Sequence, residues 1–136
     1  MALATERQAA SGPILSLPER FNIADYLVDR HVREGHGSRT AILCGDESIT
    51  YAQVAERSNR LANGLRSLGL RGEDRVMLLL YDTPAFVYSF FGAQKMGAVP
   101  IPTNTLLKSQ DYQYMLNDSR ARLAIVSEAL LPQLAV

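Results

Sequence analysis

The sequence holds few of the residues that most often announce a function. It has one cysteine (Cys44), no tryptophan and two histidines (His31 and His36). That excludes a disulfide framework and leaves too few soft ligands for a zinc site. Lysine is scarce too, with only Lys95 and Lys108 among the 14 basic residues. The 14 acidic residues balance them to a net charge of 0, and each half of the chain balances separately. No basic stripe offers itself to nucleic acid, so no nucleic-acid partner is expected. No apolar run approaches the ~18 residues of a membrane span, so no membrane partner is expected either. Residues 1–16 lack the apolar stretch of a secretory signal. With a lone thiol, the reading is a reduced, cytoplasmic setting.

What remains is a globular composition, 47% hydrophobic and 21% charged over 136 residues. That is room for one domain. Residues 1–20, with Pro13 and Pro18 among small and polar residues, read as a flexible lead-in. A short helix is expected next, with Asn22 as N-cap and Ile23, Tyr26, Leu27 and Val28 as its apolar contacts. It stops at Gly35-His36-Gly37. Thr40–Cys44 and Ser48–Thr50, separated by Gly45-Asp46-Glu47, give a hairpin signal. From Tyr51, the spacing of Val54, Leu61, Leu65 and Leu68 places them on one helix face, ended by Gly69 and Gly72.

The run Val76-Met77-Leu78-Leu79-Leu80 has no polar alternation, as expected of a strand covered on both faces. Thr83-Pro84 supplies an N-cap and a first-turn proline for a helix reaching about Met96. In the strand Ala98–Pro102, Pro100 and Pro102 strip donors from the same side, which must face a sheet edge. A helix near Ser109–Asn117, a strand near Leu123–Val126 and a short final helix follow. The order after the hairpin is α-β-α-β-α-β-α, hence an α/β fold with a mainly parallel sheet and flanking helices.

Each catalytic template fails on the residues. Gly92-Ala93-Gln94-Lys95-Met96-Gly97 has the glycine spacing of a phosphate loop, yet a strand follows it, so its glycines are read as close packing and a helix stop. Gly69 and Gly72 come before a strand, the reverse of a dinucleotide turn. No serine sits in a nucleophile elbow. Cys44 lies in a predicted strand and reads as a small buried apolar side chain. His31 and His36, at or past a helix end, read as surface or capping residues. Asp46-Glu47 and Glu73-Asp74 read as solvated turn residues. Ligands of open α/β sheets gather beyond the carboxyl ends of the strands, here Asp82-Thr83 and Thr103-Asn104-Thr105. Helix capping also accounts for Thr83, and an ordinary polar loop for Asn104 and Lys108.

The wording from Phe21 to about Pro132 resembles the amino-terminal part of the AMP-forming acyl-CoA ligases, the adenylate-forming superfamily, and within it the benzoate–CoA ligases. The matching residues are Ile49–Val54, Asn59–Leu65, Leu68-Gly69-Leu70, Gly72–Val76, Phe91–Pro100 and Asp118–Arg122. The aryl-CoA ligase likeness adds Phe21–Tyr26, Leu80–Pro84 and Asn104–Leu107. The resemblance implies an incomplete first subdomain over 21–136 and, for a full-length enzyme, a two-step reaction. An aromatic carboxylate of the benzoate class attacks the α-phosphate of ATP, and the CoA thiolate then displaces AMP. ATP, Mg²⁺ and coenzyme A are implied for that enzyme, with none expected to bind this chain tightly.

The superfamily's phosphate loop, Thr-Glu pair, ribose-binding Asp and catalytic lysine have no counterpart here. No catalytic or metal residue is therefore assigned, and cofactor-binding residues are left open. Lys95 belongs to a packing block near a helix end, where a cation suits the dipole. Some relatives carry an arginine near the nucleotide part of CoA where this sequence has Leu106, and Lys108 is the substitute candidate. The chain alone is expected to be inactive and to self-associate through unpaired strand edges, and its apolar end from Leu130 is expected to pack against something further on. The alternative is a self-contained, non-catalytic α/β module that binds a ligand or partner, with a complete sheet and both edges blunted.

Overall fold

The computed structural model describes residues 17–134. Most of the expected lead-in lies outside them. Asn22 caps the first helical segment, its Oδ1 accepting from the amides of Ala24 and Asp25 at 3.0 and 3.3 Å. The segment then widens into a π-helical stretch, Asp25–Asp29, before tightening into α1 (Arg30–Arg33), where a uniform helix was expected. Hairpin strands β1 (Thr40–Cys44) and β2 (Glu47–Thr50) pair antiparallel in a sheet of their own. Glu47 is the first residue of β2 rather than part of the turn, because Gly45 takes φ +57° and lets two residues close the hairpin.

Thr50 ends β2 and caps α2 (Tyr51–Ser67). Its hydroxyl accepts from Gln53 N while Gln53 Oε1 accepts from Thr50 N. At the far end Gly69 turns left-handed with φ +85°. Gly69 N donates to Arg66 O and Leu70 N to Leu65 O, and Leu65 and Leu70 share one core cluster. This stop corrects one expectation: Leu68 sits where the chain leaves the helix and is 67% exposed, off the buried face.

β3 (Arg75–Leu79) is the middle strand of a parallel sheet ordered β4-β3-β5, with β4 (Val99–Pro102) and β5 (Leu123–Val126) beside it. Its residues Val76–Leu79 are at most 1% exposed. Val76 and Leu78 meet a cluster from α2 and α3 (Pro84–Met96), whereas Met77 and Leu79 meet Tyr112 of α4 (Ser109–Ser119) and Leu130 of a closing 3₁₀ turn, Glu128–Gln133. Helices thus cover both faces, as the unbroken apolar run requires. Leu130 is 3% exposed and Leu134 joins the same cluster on the sheet, whereas Leu131 is 57% exposed. A third cluster ties the hairpin to Val28, α2 and α3.

α2 and α3 cross at Gly92. A Cβ there would stand 2.8 Å from Ser58 O and 2.8 Å from Leu61 Cδ2. Gly97 stops α3 with φ +88°. Both readings of these glycines, packing and helix stop, therefore hold. In β4 the amides of Val99 and of the following Thr103 donate to Asp74 O and Leu78 O of the β3 side. Pro100 and Pro102 face outward on the edge, as their spacing predicts.

Candidate functional site

The carboxyl ends of β3 and β4 frame a cavity of about 380 Å³. The loop after β3 contributes Leu80, Tyr81 and Asp82, the first turn of α3 contributes Phe86, and β4 runs out through Pro102, Thr103, Asn104 and Thr105. The sequence had placed Asp82, Thr103, Asn104 and Thr105 at these strand ends, and the fold brings all four to one cavity. The loop after β4 is held from within. Thr103, 7% exposed, bonds Ile101 O through Oγ1 at 3.1 Å. Asn104 Oδ1 accepts from Leu106 N at 2.9 Å, and Asn104 O accepts from the hydroxyl of fully buried Tyr112 at 2.9 Å.

The loop after β3 is held by a residue that sequence reasoning missed. Tyr81 N donates to Ser127 Oγ at 3.1 Å, and Ser127 N donates to Leu79 O at 2.9 Å. Because β4 and β5 lie on opposite sides of β3, the gap between the β3 and β5 ends is the point where strand order reverses. Ser127 bridges that gap. Its signal was present, since it is the first polar residue after the strand Leu123–Val126, and the rule that picked Asp82 and Asn104 picks it too.

Other candidates are corrected or displaced. Thr83 stands at the N-cap of α3 with extended backbone, but its hydroxyl makes no capping bond and only its carbonyl accepts, from Phe86 N at 2.9 Å. It opens with Cys44 and Asp82 onto a neighbouring cleft of about 210 Å³. Cys44 is half-buried rather than buried, because the hairpin is a separate two-stranded layer. His31 is half-buried with its ring 4.1 Å from that of Tyr51, and His36 donates its amide to His31 O, accepts from Arg39 N through its carbonyl and sets its Nδ1 4.0 Å from Glu34. Leu106 is 89% exposed and Lys108 is exposed, and neither lines the cavity. Asp74 is not the solvated turn residue expected: its side chain is 19% exposed and its Oδ2 accepts from Arg71 N and Arg122 Nη1 at 2.7 and 3.2 Å.

Lys95 lies elsewhere, with a side chain 8% exposed. Its Nζ donates to Asp29 Oδ1 at 2.6 Å, Asn59 Oδ1 at 2.8 Å and Ala55 O at 3.3 Å. All three ammonium protons are thereby used in tying the π-helical stretch, α2 and α3 together. The packing role read from the sequence is correct, and its chemistry is a satisfied buried cation rather than a dipole contact alone.

The cavity offers acceptors and weak donors: one carboxylate (Asp82), one phenol, one amide and two hydroxyls. No cation lines it. Among the described residues no group of three or more His, Cys, Asp or Glu side chains is placed to hold a metal ion. A phosphoryl-transfer transition state gathers charge on oxygens and needs cations aimed at it. This cavity can contact and orient a bound molecule, and its lining carries no cation to meet such charge.

An open parallel sheet with a crevice at the carboxyl ends of its strands is the arrangement in which α/β domains of the doubly wound class gather their ligands. The chain belongs to the AMP-binding enzyme family, whose profile matches residues 28–136. It is 46% identical to the benzoate–CoA ligase of Thauera aromatica over 124 residues, 90% of this chain and 24% of that relative. The fold is similar to an anthranilate CoA ligase solved with anthranoyl-AMP (TM-score 0.83, 38% identity, 88% of this chain and 23% of that one). It is likewise similar to a benzoate CoA ligase from Burkholderia xenovorans (TM-score 0.80, 40% identity, 85% of this chain and 23% of that one). These matches place it with the amino-terminal part of the adenylate-forming CoA ligases. The chain spans about a quarter of the length of these relatives. No described helix is long and apolar enough to cross a membrane.

Proposed function

We propose that this chain is the amino-terminal portion of a cytoplasmic, AMP-forming aryl-CoA ligase acting on a benzoate-class acid with ATP and CoA, and that residues 21–136 form one α/β unit of it. Its part is to build the sheet and one wall of the cleft. The observation that supports the reading is the cavity at the β3 and β4 ends, where Leu80, Tyr81, Asp82, Asn104 and Thr105, all from the two segments with the aryl-CoA ligase wording, come together. Tyr81, Asn104 and Thr105 would orient a bound molecule there through neutral hydrogen bonds. Adenylation and thioester formation need cations and a mobile lysine that this stretch does not bring, so the chain by itself is inactive.

The test has two arms. The isolated chain is assayed for benzoate-dependent ATP–pyrophosphate exchange, and residues 21–136 replace the matching part of the Thauera aromatica benzoate–CoA ligase. The expected result is no exchange from the chain and retained benzoyl-CoA formation by the chimera. Exchange above a boiled control, or a folded chimera without activity, refutes the proposal. The self-contained binding module is disfavoured by one observation: β4 is blunted by Pro100 and Pro102, but β5 carries no such blunting.

A further inference from the structure

In the parallel register of β3 and β5, the backbone groups of Met77 and Leu79 turn toward β5. The ladder ends where Ser127 N donates to Leu79 O at 2.9 Å. Tyr81, two residues further on, is the next donor in that series, and a continued ladder would give it the carbonyl of Ser127. That carbonyl is already used. It accepts from Leu130 N at 2.8 Å and opens the 3₁₀ turn Glu128–Gln133, which carries Leu130 into the core. The Ser127 hydroxyl stands in for it, accepting from Tyr81 N at 3.1 Å. Although Ser127 is the N-cap of the turn, its side chain makes no capping bond there. One residue thus lets β5 leave the ladder and still satisfies the donor that its departure strands.

The consequence falls on the cavity. Tyr81 is held on both sides of its Cα, since its own carbonyl accepts from Thr83 N at 2.7 Å. Fixing the amide and the carbonyl sets where its side chain leaves the backbone, and that side chain, 45% exposed, lines the cavity beside Asp82, Asn104 and Thr105. Ser127 does not line it. Alanine at 127 keeps the bond to Leu79 O and removes only the acceptor, which frees the Tyr81 peptide to turn toward water. The lining has a carboxylate and no cation, so it turns away phosphate and carboxylate groups and suits an uncharged, hydrogen-bonding part of a substrate. Such contacts do not strengthen as charge develops on a phosphoryl oxygen, so they bear on binding and not on the chemical step. On the ligase reading above, we infer that Ser127 is a positioning residue. Its hydroxyl, acting through Tyr81 N, sets the affinity for the substrate whose uncharged part occupies this cavity.

The experiment uses the chimera of residues 21–136 in the Thauera aromatica benzoate–CoA ligase, with KM measured separately for ATP, CoA and benzoate. Ser127→Ala should raise one of the three KM values about fivefold, the net worth of one hydrogen bond, and leave kcat within about twofold. Tyr81→Ala should raise the same KM, and the double variant should do no worse than Tyr81→Ala alone, because Ser127 acts through Tyr81. Ser127→Thr keeps the oxygen and should match the native chimera. Ser127→Val has the same shape without the oxygen and should match Ser127→Ala, so this pair decides the matter even if alanine loosens the turn. An active native chimera whose three KM values are equal with threonine and valine at 127 overturns the proposal and leaves the ligase reading standing. So does a loss confined to kcat, or effects of Ser127→Ala and Tyr81→Ala on different substrates. A folded native chimera without activity overturns the ligase reading and this proposal with it.

Discussion

The crossing of α2 and α3 gives the sharpest quantitative test, because two glycines on these helices face opposite surroundings. Gly92→Ala places a methyl 2.8 Å from Ser58 O and 2.8 and 3.0 Å from Leu61 Cδ2 and Cβ. Leu61 can adjust its side chain, but Ser58 O is helix backbone, so the helices must separate by a few tenths of an ångström. Overpacking of this kind costs about 1–3 kcal/mol, and the gain from replacing glycine in a helix offsets about 1 kcal/mol of it. The expected net destabilisation is centred on about 1 kcal/mol, or about 3–4 °C in Tm for a domain of this size. Gly64→Ala is the internal control, since a Cβ there meets nothing within 4 Å. That change should stabilise by about 0.5–1 kcal/mol through the unfolded chain. Urea unfolding followed at 222 nm should show the two midpoints moving in opposite directions at constant m. Gly92→Ala as stable as the native chain, or both variants moving together, would refute the close-packing account.

Two further outcomes follow from buried and paired charges. Lys95→Met leaves Asp29 and Asn59 without their donor and should cost about 2 kcal/mol, because unmet partners in a largely desolvated site are expensive. Adding Asp29→Asn should recover part of that loss, and a single variant within experimental error of native would contradict the triple hydrogen bond. The Arg33 guanidinium, hydrogen-bonded to the Asp25 carboxylate, holds Asp25 below its ordinary carboxylate value. A lowered folded-state value means stability that is present above the unfolded value and lost as pH falls through the folded one. An acid titration of stability should therefore show a small loss below pH 3.8 that Asp25→Asn removes and high salt weakens. An unchanged acid limb in Asp25→Asn would contradict it.

Much of this arrangement was legible because the sequence punctuates it. Pro84 and Gly97 bracket α3, the run from Val76 announces a strand covered on both faces, and the alternate prolines of β4 give its edge away. The misses have physical reasons. Leu68 continues the three-and-four spacing of α2, but Gly69 turns the chain left-handed and carries Leu68 off the face. The π-helical stretch at Asp25–Asp29 keeps the same apolar residues and changes only the hydrogen-bond register, which side-chain periodicity does not encode. Thr83 has the residue type and position of a cap but its side chain makes no capping bond. At the cavity, Asp82 and Asn104 followed from the strand-end rule, whereas Ser127 and the Tyr112 bond behind Asn104 depend on long-range placement.

Asp74 gathers the opposite end of the sheet. Its side chain takes the Arg71 amide ahead of β3 and the Arg122 guanidinium ahead of β5, while its own carbonyl takes the Val99 amide that opens β4. One residue thus sets where all three strands begin, on the side remote from the crevice. The spacing of the strands is anchored away from the crevice, so a substitution in the Tyr81–Thr83 or Thr103–Leu107 loops leaves this anchor at the strand starts in place.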